Sequence, residues 1–443
     1  MHPRRRHILI GLAALPFASP ARAQMLDATA LNLVPGSPDD QSGPMQDALL
    51  RAAAEGRPLF LPSGTYLVQN LHVPSSILVT GVPGGTVLGA AGAGPVVRVS
   101  GSAHVRFEGI RFGPGSGGGP QGGETGLIEI EASDRVVISG CEFAGGGASG
   151  IAIHDAAAEI TGCDFSGHAL AAIFSLDSRG LTLTGNRIVG CGNGGILVWG
   201  NAGRSGSSTI AGNAISGIGA SNGGNGQNGN GINIFRCDDV VIADNRIRDC
   251  AFTAIRLNAT RNVIVSGNLC ANSGEVAIFS EFAFSGSVIA DNIVDGAALG
   301  ISVTNMDSGG EVATVSGNIV RNIRERSEVN PDTRPIGIYA EADTAITGNT
   351  VHSVVGMGIR AGNGPFLRNV VIADNIVRGV NTGIGVSVVR DPAIGPVSIT
   401  GNLVADVLDQ AIVGLEWERV ASDDLVRDAA KYPHVSLAGN RVV

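Results

Sequence analysis

One short phrase recurs along this chain and limits what it can fold into. It reads apolar-x-apolar, a small residue, Gly or Asp, Asn, any residue, apolar. Copies include LTLTGNRI (181–188), VIADNRI (241–247), VIADNIV (288–294), TVSGNIV (314–320), SITGNLV (398–404) and SLAGNRV (436–442). The Asn slot is filled by Asn186, Asn213, Asn245, Asn268, Asn292, Asn318, Asn349, Asn375, Asn402 and Asn440. Two earlier copies, VISGCEF (137–143) and EITGCDF (159–165), carry Cys141 and Cys163 in that slot. The closest slots lie 22–24 residues apart, and the wider gaps hold Gly-rich or polar insertions. Repetition at this period means a solenoid or array. Each unit contains a second alternation, as in GILV (195–198), GINI (231–234), AIRL (254–257), GISV (300–303) and GIYA (337–340). Two short alternations split by turn residues, without helical spacing, are strands. Length alone, 443 residues, suggests two or three domains. A solenoid is one cooperative array, so the repeat points to one domain over 24–443.

Units of this size and pattern resemble right-handed parallel β-helices of the pectate-lyase-like kind. The expected fold is therefore all-β: a right-handed parallel β-helix of about 12–14 coils, with strands of successive coils about 4.8 Å apart. Asn tolerates the left-handed backbone of a tight turn, and stacked turns set amide over amide. Because every coil repeats it, the Asn column reads as structure rather than as a ligand set. Cys141 and Cys163 fall on consecutive rungs, within reach of a disulfide. The disulfide is the alternative; the preferred reading is that all six cysteines are buried thiols. Residues 42–56 predict a capping helix, with Ser42 as N-cap, Gly56 as the stop and Leu49, Ala52 and Ala53 on its apolar face. PLFLPSGTYLV (58–68) opens the first coil, and EWERVASDDLVRDAAKY (416–432) breaks the repeat as an amphipathic cap or loop.

The first residues read MHPRRRHILIGLAALPFASPARAQ, a basic head, an apolar stretch and small residues. Ala21-Arg22-Ala23 fits a cleavage site before Gln24. Arg5-Arg6 looks like a twin-arginine signal, so residues 1–23 are expected to direct export through the Tat machinery to the periplasm or medium of a Gram-negative bacterium. The chain carries 30 basic against 39 acidic residues, and Lys431 is its single lysine. That balance argues against nucleic acid as a partner. No apolar run approaches the ~18–20 residues of a membrane span, and the 44% hydrophobic content argues against disorder.

In Gly-Ile-x-apolar-x, Ile points into the core and the x positions point out. Rung by rung, the outward positions of the middle coils are Trp199, Asn233, Phe235, Arg256, Asn258, Phe279, Glu281, Tyr339 and Glu341. Aromatics beside amides, Arg and carboxylates suit a polysaccharide: rings stack on sugars, and polar groups bond hydroxyls. Trp199, Asn233, Phe235, Asn258, Phe279, Tyr339 and Asp307 are the candidate substrate-binding residues. Glu281, Arg256 and Glu341 are the candidate catalytic residues. Two carboxylates two rungs apart approach the spacing of an inverting glycosidase, about 9 Å. Arg256 is suited to hold a uronate or assist β-elimination. No cofactor is required, and Asp307 offers an option for calcium. Two alternatives stay open: Arg256 and Glu281 form a plain ion pair, or the insertions 221–231 and 324–335 fold over the face and bury it.

The twin-arginine head, the helix-to-LPSGTY entry and coils such as GNGGILVW (192–199), GQNGNGINIFR (226–236), SGEVAIFSEF (273–282) and DGAALGISVTN (295–305) together resemble the Tat-translocated repetitive β-helix proteins of Gram-negative bacteria. The likeness runs over nearly the whole chain. It implies a pectin-lyase-like fold and export, and it supplies no reaction. The paired-Asp motif of polygalacturonases and the Asp-Pro-His stretch of alginate epimerases are absent from the sequence. Three readings follow: a polysaccharide lyase or hydrolase, a carbohydrate-binding β-helix without turnover, and an envelope-assembly solenoid.

Overall fold

A computed structural model describes residues 25–201, 206–224, 226–306 and 309–443. The expected signal over 1–23 lies outside the described residues. The chain winds into a parallel β-helix with three stacks of strands. The first stack holds sixteen strands, from Leu26–Asp27 to Val435–Ala438. Its register is strict: Leu183 pairs with Ile210, and Ile210 with Ile242. The second stack holds short strands such as Arg187–Val189, Ala214–Ile218 and Arg246–Cys250, with Ile188, Ile215 and Ile247 in line. The third holds Gly194–Trp199, Asn230–Phe235, Ile255–Asn258, Val276–Glu281, Leu299–Thr304 and Ile336–Ala340. There Ile196, Ile232, Ile255, Ile278, Ile301 and Ile338 form one buried column. These columns meet in a single core that runs the length of the rod.

The first stack exceeds the 12–14 coils expected because the early coils lack the Asn phrase. They are recognisable instead by large apolar side chains. Tyr66, Phe107 and Phe112 are fully buried, and the rings of Phe112, Phe143 and Phe165 stack at 5.1 and 4.7 Å. Parallel strands in exact register bring like side chains together, so aromatic stacks on aromatic.

The Asn column forms, but not for the conformational reason given above. The left-handed residue is the one before each Asn: Gly185 and Gly212 at φ 64 and 66°, Asp244 and Asp291 at φ 56 and 57°. That is why the slot before Asn is Gly or Asp. The Asn itself serves as an amide clamp. In Asn213, Nδ2 donates to the Leu183 carbonyl and to Asn245 Oδ1, each at 2.9 Å. Its Oδ1 accepts the Asn186 backbone N–H at 2.9 Å and Asn186 Nδ2 at 3.0 Å. The amide therefore uses its full bonding capacity in a buried place, as burial demands. The column starts where the Cys163 N–H donates to Asn186 Oδ1 at 2.9 Å.

Cys141 and Cys163 are not joined; all six cysteines are free and buried. Burial pushes the Cys141 thiol up to about 12 and the Cys163 thiol up to about 11. They fill space as small apolar side chains.

The helix spans Ser42–Glu55 and buries Met45, Ala48, Leu49 and Ala52 against the first coils; Ala53 is only half-buried. Its N-cap is Gln41 rather than Ser42, and Gly56 closes it at φ 62°. Residues 416–432 are neither a plain loop nor one helix. Strand Leu403–Glu416 turns into an antiparallel partner, Arg419–Ser422, followed by a short helix Leu425–Asp428. The hairpin pairs the last edge of the third stack, which blunts a template for further strand addition.

Candidate functional site

Register puts the candidate side chains in two adjacent outward columns of the third stack. One runs Trp199, Phe235, Asn258, Glu281, Thr304. The other runs Leu197, Asn233, Arg256, Phe279, Ser302, Tyr339, Arg360. Both point away from the core, yet they do not form an open face. Asn233, Glu281, Glu341 and Arg360 are buried, and Trp199, Phe235, Arg256, Asn258, Phe279 and Tyr339 are half-buried.

Three insertions cover them. The first, between Ile218 and Asn230, sets the Gly226 carbonyl to accept from Asn233 Nδ2 at 3.1 Å and Asn230 Nδ2 at 2.8 Å. Gly226, at φ 113°, rides so low that a Cβ there would come within 2.8 Å of the Arg256 guanidinium. The second, 324–335, is anchored by Ser327 Oγ donating to the Gly274 carbonyl and Asn330 Nδ2 donating to Glu275 Oε1, at 2.8 and 2.7 Å. The third is the C-terminal hairpin. Arg360 Nη1 donates to both oxygens of Glu418, at 2.9 and 3.1 Å, and Nη2 to the Trp417 carbonyl at 3.2 Å.

Between these covers lie two neighbouring pockets. The first, about 530 Å³, has Trp199 and Phe235 on one side and Asn222, Gln227 and Asn228 of the insertion on the other. Asn233, Asn258 and Arg256 also line it. The two rings meet edge to face, with centroids 6.4 Å apart. The second, about 350 Å³, is lined by Phe279, Thr304, Tyr339, Glu341 and Arg360, among others. A shared stack divides them: Arg256 lines the first pocket and lies 5.1 Å over the ring of Phe279, which lines the second.

Of the three residues singled out for acid-base work, Arg256 and Glu281 share one network and Glu341 sits in another. Arg256 Nε donates to Glu281 Oε1 at 2.6 Å. Asn258 Nδ2 donates to the same oxygen at 3.0 Å, and Asn305 Nδ2 reaches Oε2 at 3.4 Å. Arg256 Nη1 also lies 3.6 Å from Glu275 Oε2. The Arg256 and Glu281 side chains are 11% and 2% exposed, so this is a buried ion network, not a surface pair. Glu341 accepts the Met306 N–H at 3.0 Å. Tyr339 beside it has its hydroxyl pushed well up by burial, against the pull of Arg360, whose guanidinium stacks 5.1 Å over the ring. Asp307 lies outside the described residues. Among the described residues no three His, Cys, Asp or Glu side chains are grouped to hold a metal ion. No described helix is long and apolar enough to cross a membrane.

Glu275, Asn305, Asn330 and Glu418 complete these networks without having been singled out from the sequence. They sit in turns and insertions, outside the repeated phrases. The only signal was the polarity of the insertions.

The described geometry matches known folds. A mutant tailspike protein of E. coli bacteriophage HK620, solved in complex with a pentasaccharide, aligns at 10% identity and TM-score 0.58, covering 94% of this chain and 80% of that one. PfbA, a surface adhesin of Streptococcus pneumoniae, aligns at 14% identity and TM-score 0.54, covering 90% and 94%. At such identities the likeness establishes the parallel β-helix fold alone. No curated protein sequence matches the chain. The profile of one family, described as "Periplasmic copper-binding protein (NosD)", matches residues 116–268 and 221–406, together well over half of the chain. The chain thus belongs to the NosD family of periplasmic proteins.

Proposed function

We propose that this protein binds an extended polysaccharide along the two pockets of the third stack, in the periplasm or outside the cell, after export through the Tat machinery. The observation that carries this is the first pocket: the aromatic rings of Trp199, Phe235 and Phe282 line it together with an insertion rich in amides and with Asn233, Asn258 and Arg256. Rings supply apolar faces for sugars, and amides both donate to and accept from hydroxyls. The parallel β-helix fold, shared with a tailspike solved with a bound pentasaccharide, agrees with this reading.

Binding without turnover is the form the geometry favours. Three donors occupy the Glu281 carboxylate, and Arg256 is charge-paired with two carboxylates, one of them hydrogen-bonded. The enzyme reading uses Arg256, Glu281 and Glu341, of which Arg256 and Glu341 line the pockets. Copper, named in the family's description, finds no three-ligand group among the described residues. The described thiols are buried and raised, whereas a metal needs the thiolate. No step through copper is derived.

A polysaccharide-binding and depolymerisation screen tests the reading, with wild type beside Trp199→Ala and Glu281→Gln, and calcium present or absent. Binding lost in Trp199→Ala, without product release, is the expected result. Product release abolished by Glu281→Gln would establish an enzyme instead. Absence of binding to every glycan would leave the assembly scaffold.

A further inference from the structure

We infer that the groove accepts uncharged sugar chains and discriminates against uronates and other anionic polysaccharides. This rests on the groove being a glycan site, and it reverses the role that the sequence suggested for Arg256.

The argument is a count of charge at the site. Among the residues lining the first pocket, Arg256 is the one ionisable group; the others are amides, aromatics and Gly226. Arg256 is already charge-paired before a ligand's carboxylate could reach it. Its Nε holds Glu281 at 2.6 Å and its Nη1 faces Glu275 at 3.6 Å. The Glu281 and Glu275 side chains are 2% and 7% exposed. One guanidinium between two buried carboxylates leaves a net negative charge under the pocket floor. A uronate would have to displace a carboxylate already held by other donors: Asn258 on Glu281, and Thr253 and Asn330 on Glu275. Stripping a buried carboxylate of its cation is costly, and placing like charges side by side adds to that cost.

The second pocket repeats the pattern. Its lining carries Glu275, Asp332, Glu341 and Glu418 against Arg334 and Arg360. Both oxygens of Glu418 already hold Arg360. Arg236 stacks 4.8 Å over the Phe235 ring but is not among the lining residues. Over longer range, the net charge of -9 opposes any polyanion. What the first pocket does offer is neutral: the side-chain amides of Asn222, Gln227, Asn228, Asn233 and Asn258 beside three rings. Such amides match hydroxyls and acetamido groups, which both donate and accept.

The test is a calorimetric titration of the full exported chain with oligosaccharides of matched length. One set is neutral (glucan, mannan and N-acetylated chains); the other is oligogalacturonate and oligomannuronate. At low ionic strength the uronates are expected to bind about tenfold or more weakly than the best neutral chain, with the gap narrowing as salt rises. Uronates binding as tightly as neutral chains would overturn this inference and leave the glycan groove standing. Binding by neither set would overturn the groove reading and this inference with it. In Glu275→Gln the ratio of uronate to neutral affinity is expected to rise at least about threefold. An unchanged ratio would overturn the part assigned to the buried carboxylates.

Discussion

The Asn column and the outward face of the third stack differ in one respect that separates frame from site. Along the column every rung is alike: the amides of Asn186 to Asn402 are buried, and each donates to its neighbour. Along the face no rung repeats the one before: Leu197, Asn233, Arg256, Phe279, Ser302, Tyr339 and Arg360 follow one another. Column amides are saturated. The face keeps buried polar atoms, Trp199 Nε1 and Arg360 Nε, with no hydrogen bond among the described residues. In a solenoid, sameness from coil to coil is what stacking requires, so a face that abandons it is under another constraint.

The difference can be broken from either side. The largest effect is expected in the middle of the column. Asn292→Ala removes an acceptor from the Asn268 N–H and Nδ2 and a donor to Val265 and Asn318. Several orphaned buried groups cost about 4 kcal/mol together, read from urea unfolding followed by circular dichroism. Next comes Arg256→Ala on the face, which strands Glu275 and Glu281 without their cation. A loss of about 3 kcal/mol in the same unfolding experiment is expected.

A buried polar group outside both regions gives a pH test. Neither ring nitrogen of His168 has a hydrogen bond at good geometry among the described residues. Burial lowers its pKa to about 4, with a partial offset from the backbone of Phe143 and Gly145. The folded value lies below the ordinary 6.5, so the unfolded chain takes up the proton first. Stability is therefore full above pH 6.5 and falls as pH drops toward 4, by about 3 kcal/mol. His168→Leu is expected to flatten that part of the profile; an unchanged slope would place the titration elsewhere.

Smaller effects separate the regions further. Trp199→Ala should weaken glycan binding about thirtyfold, close to 2 kcal/mol in calorimetry, while costing less stability than Asn292→Ala. At the end of the column, Asn440→Ala should cost only about 1 kcal/mol, because Asn440 is half-buried and water can take up the groups it leaves.

The repeated parts of this molecule were readable in the sequence. Two of the three stacks, the Asn column and the outward columns of the third stack follow from phrases set one coil apart, and the capping helix from its own start and stop signals; the short strands such as Arg187–Val189 were not read as a separate stack. The early coils escaped because Tyr66, Phe107 and Phe112 fill them without the Asn phrase. The left-handed turn was assigned to Asn when it belongs to Gly185, Asp244 and their equivalents, since adjacent slots recur together and periodicity does not tell them apart. The burial of Glu281 and Arg360 was readable only as an open alternative, that the insertions fold over the face. It depends on covers whose sequences have no period, and on partners far along the chain: Glu418 lies 58 residues from Arg360, and Asn330 lies 55 from Glu275. Repetition transmits register; the folding of a Gly- and Asn-rich insertion over a sheet leaves no such trace.

The central claim, that the face around Trp199 is where a glycan sits, has an internal reporter. The chain holds two tryptophans, Trp199 in the first pocket and the exposed Trp417 of the C-terminal hairpin. In Trp417→Phe, emission comes from Trp199 alone. Titration with a neutral oligosaccharide that the chain binds in calorimetry should shift or quench that emission, saturating at the same concentration. Tight binding with the Trp199 emission unchanged would put the glycan elsewhere and contradict the account.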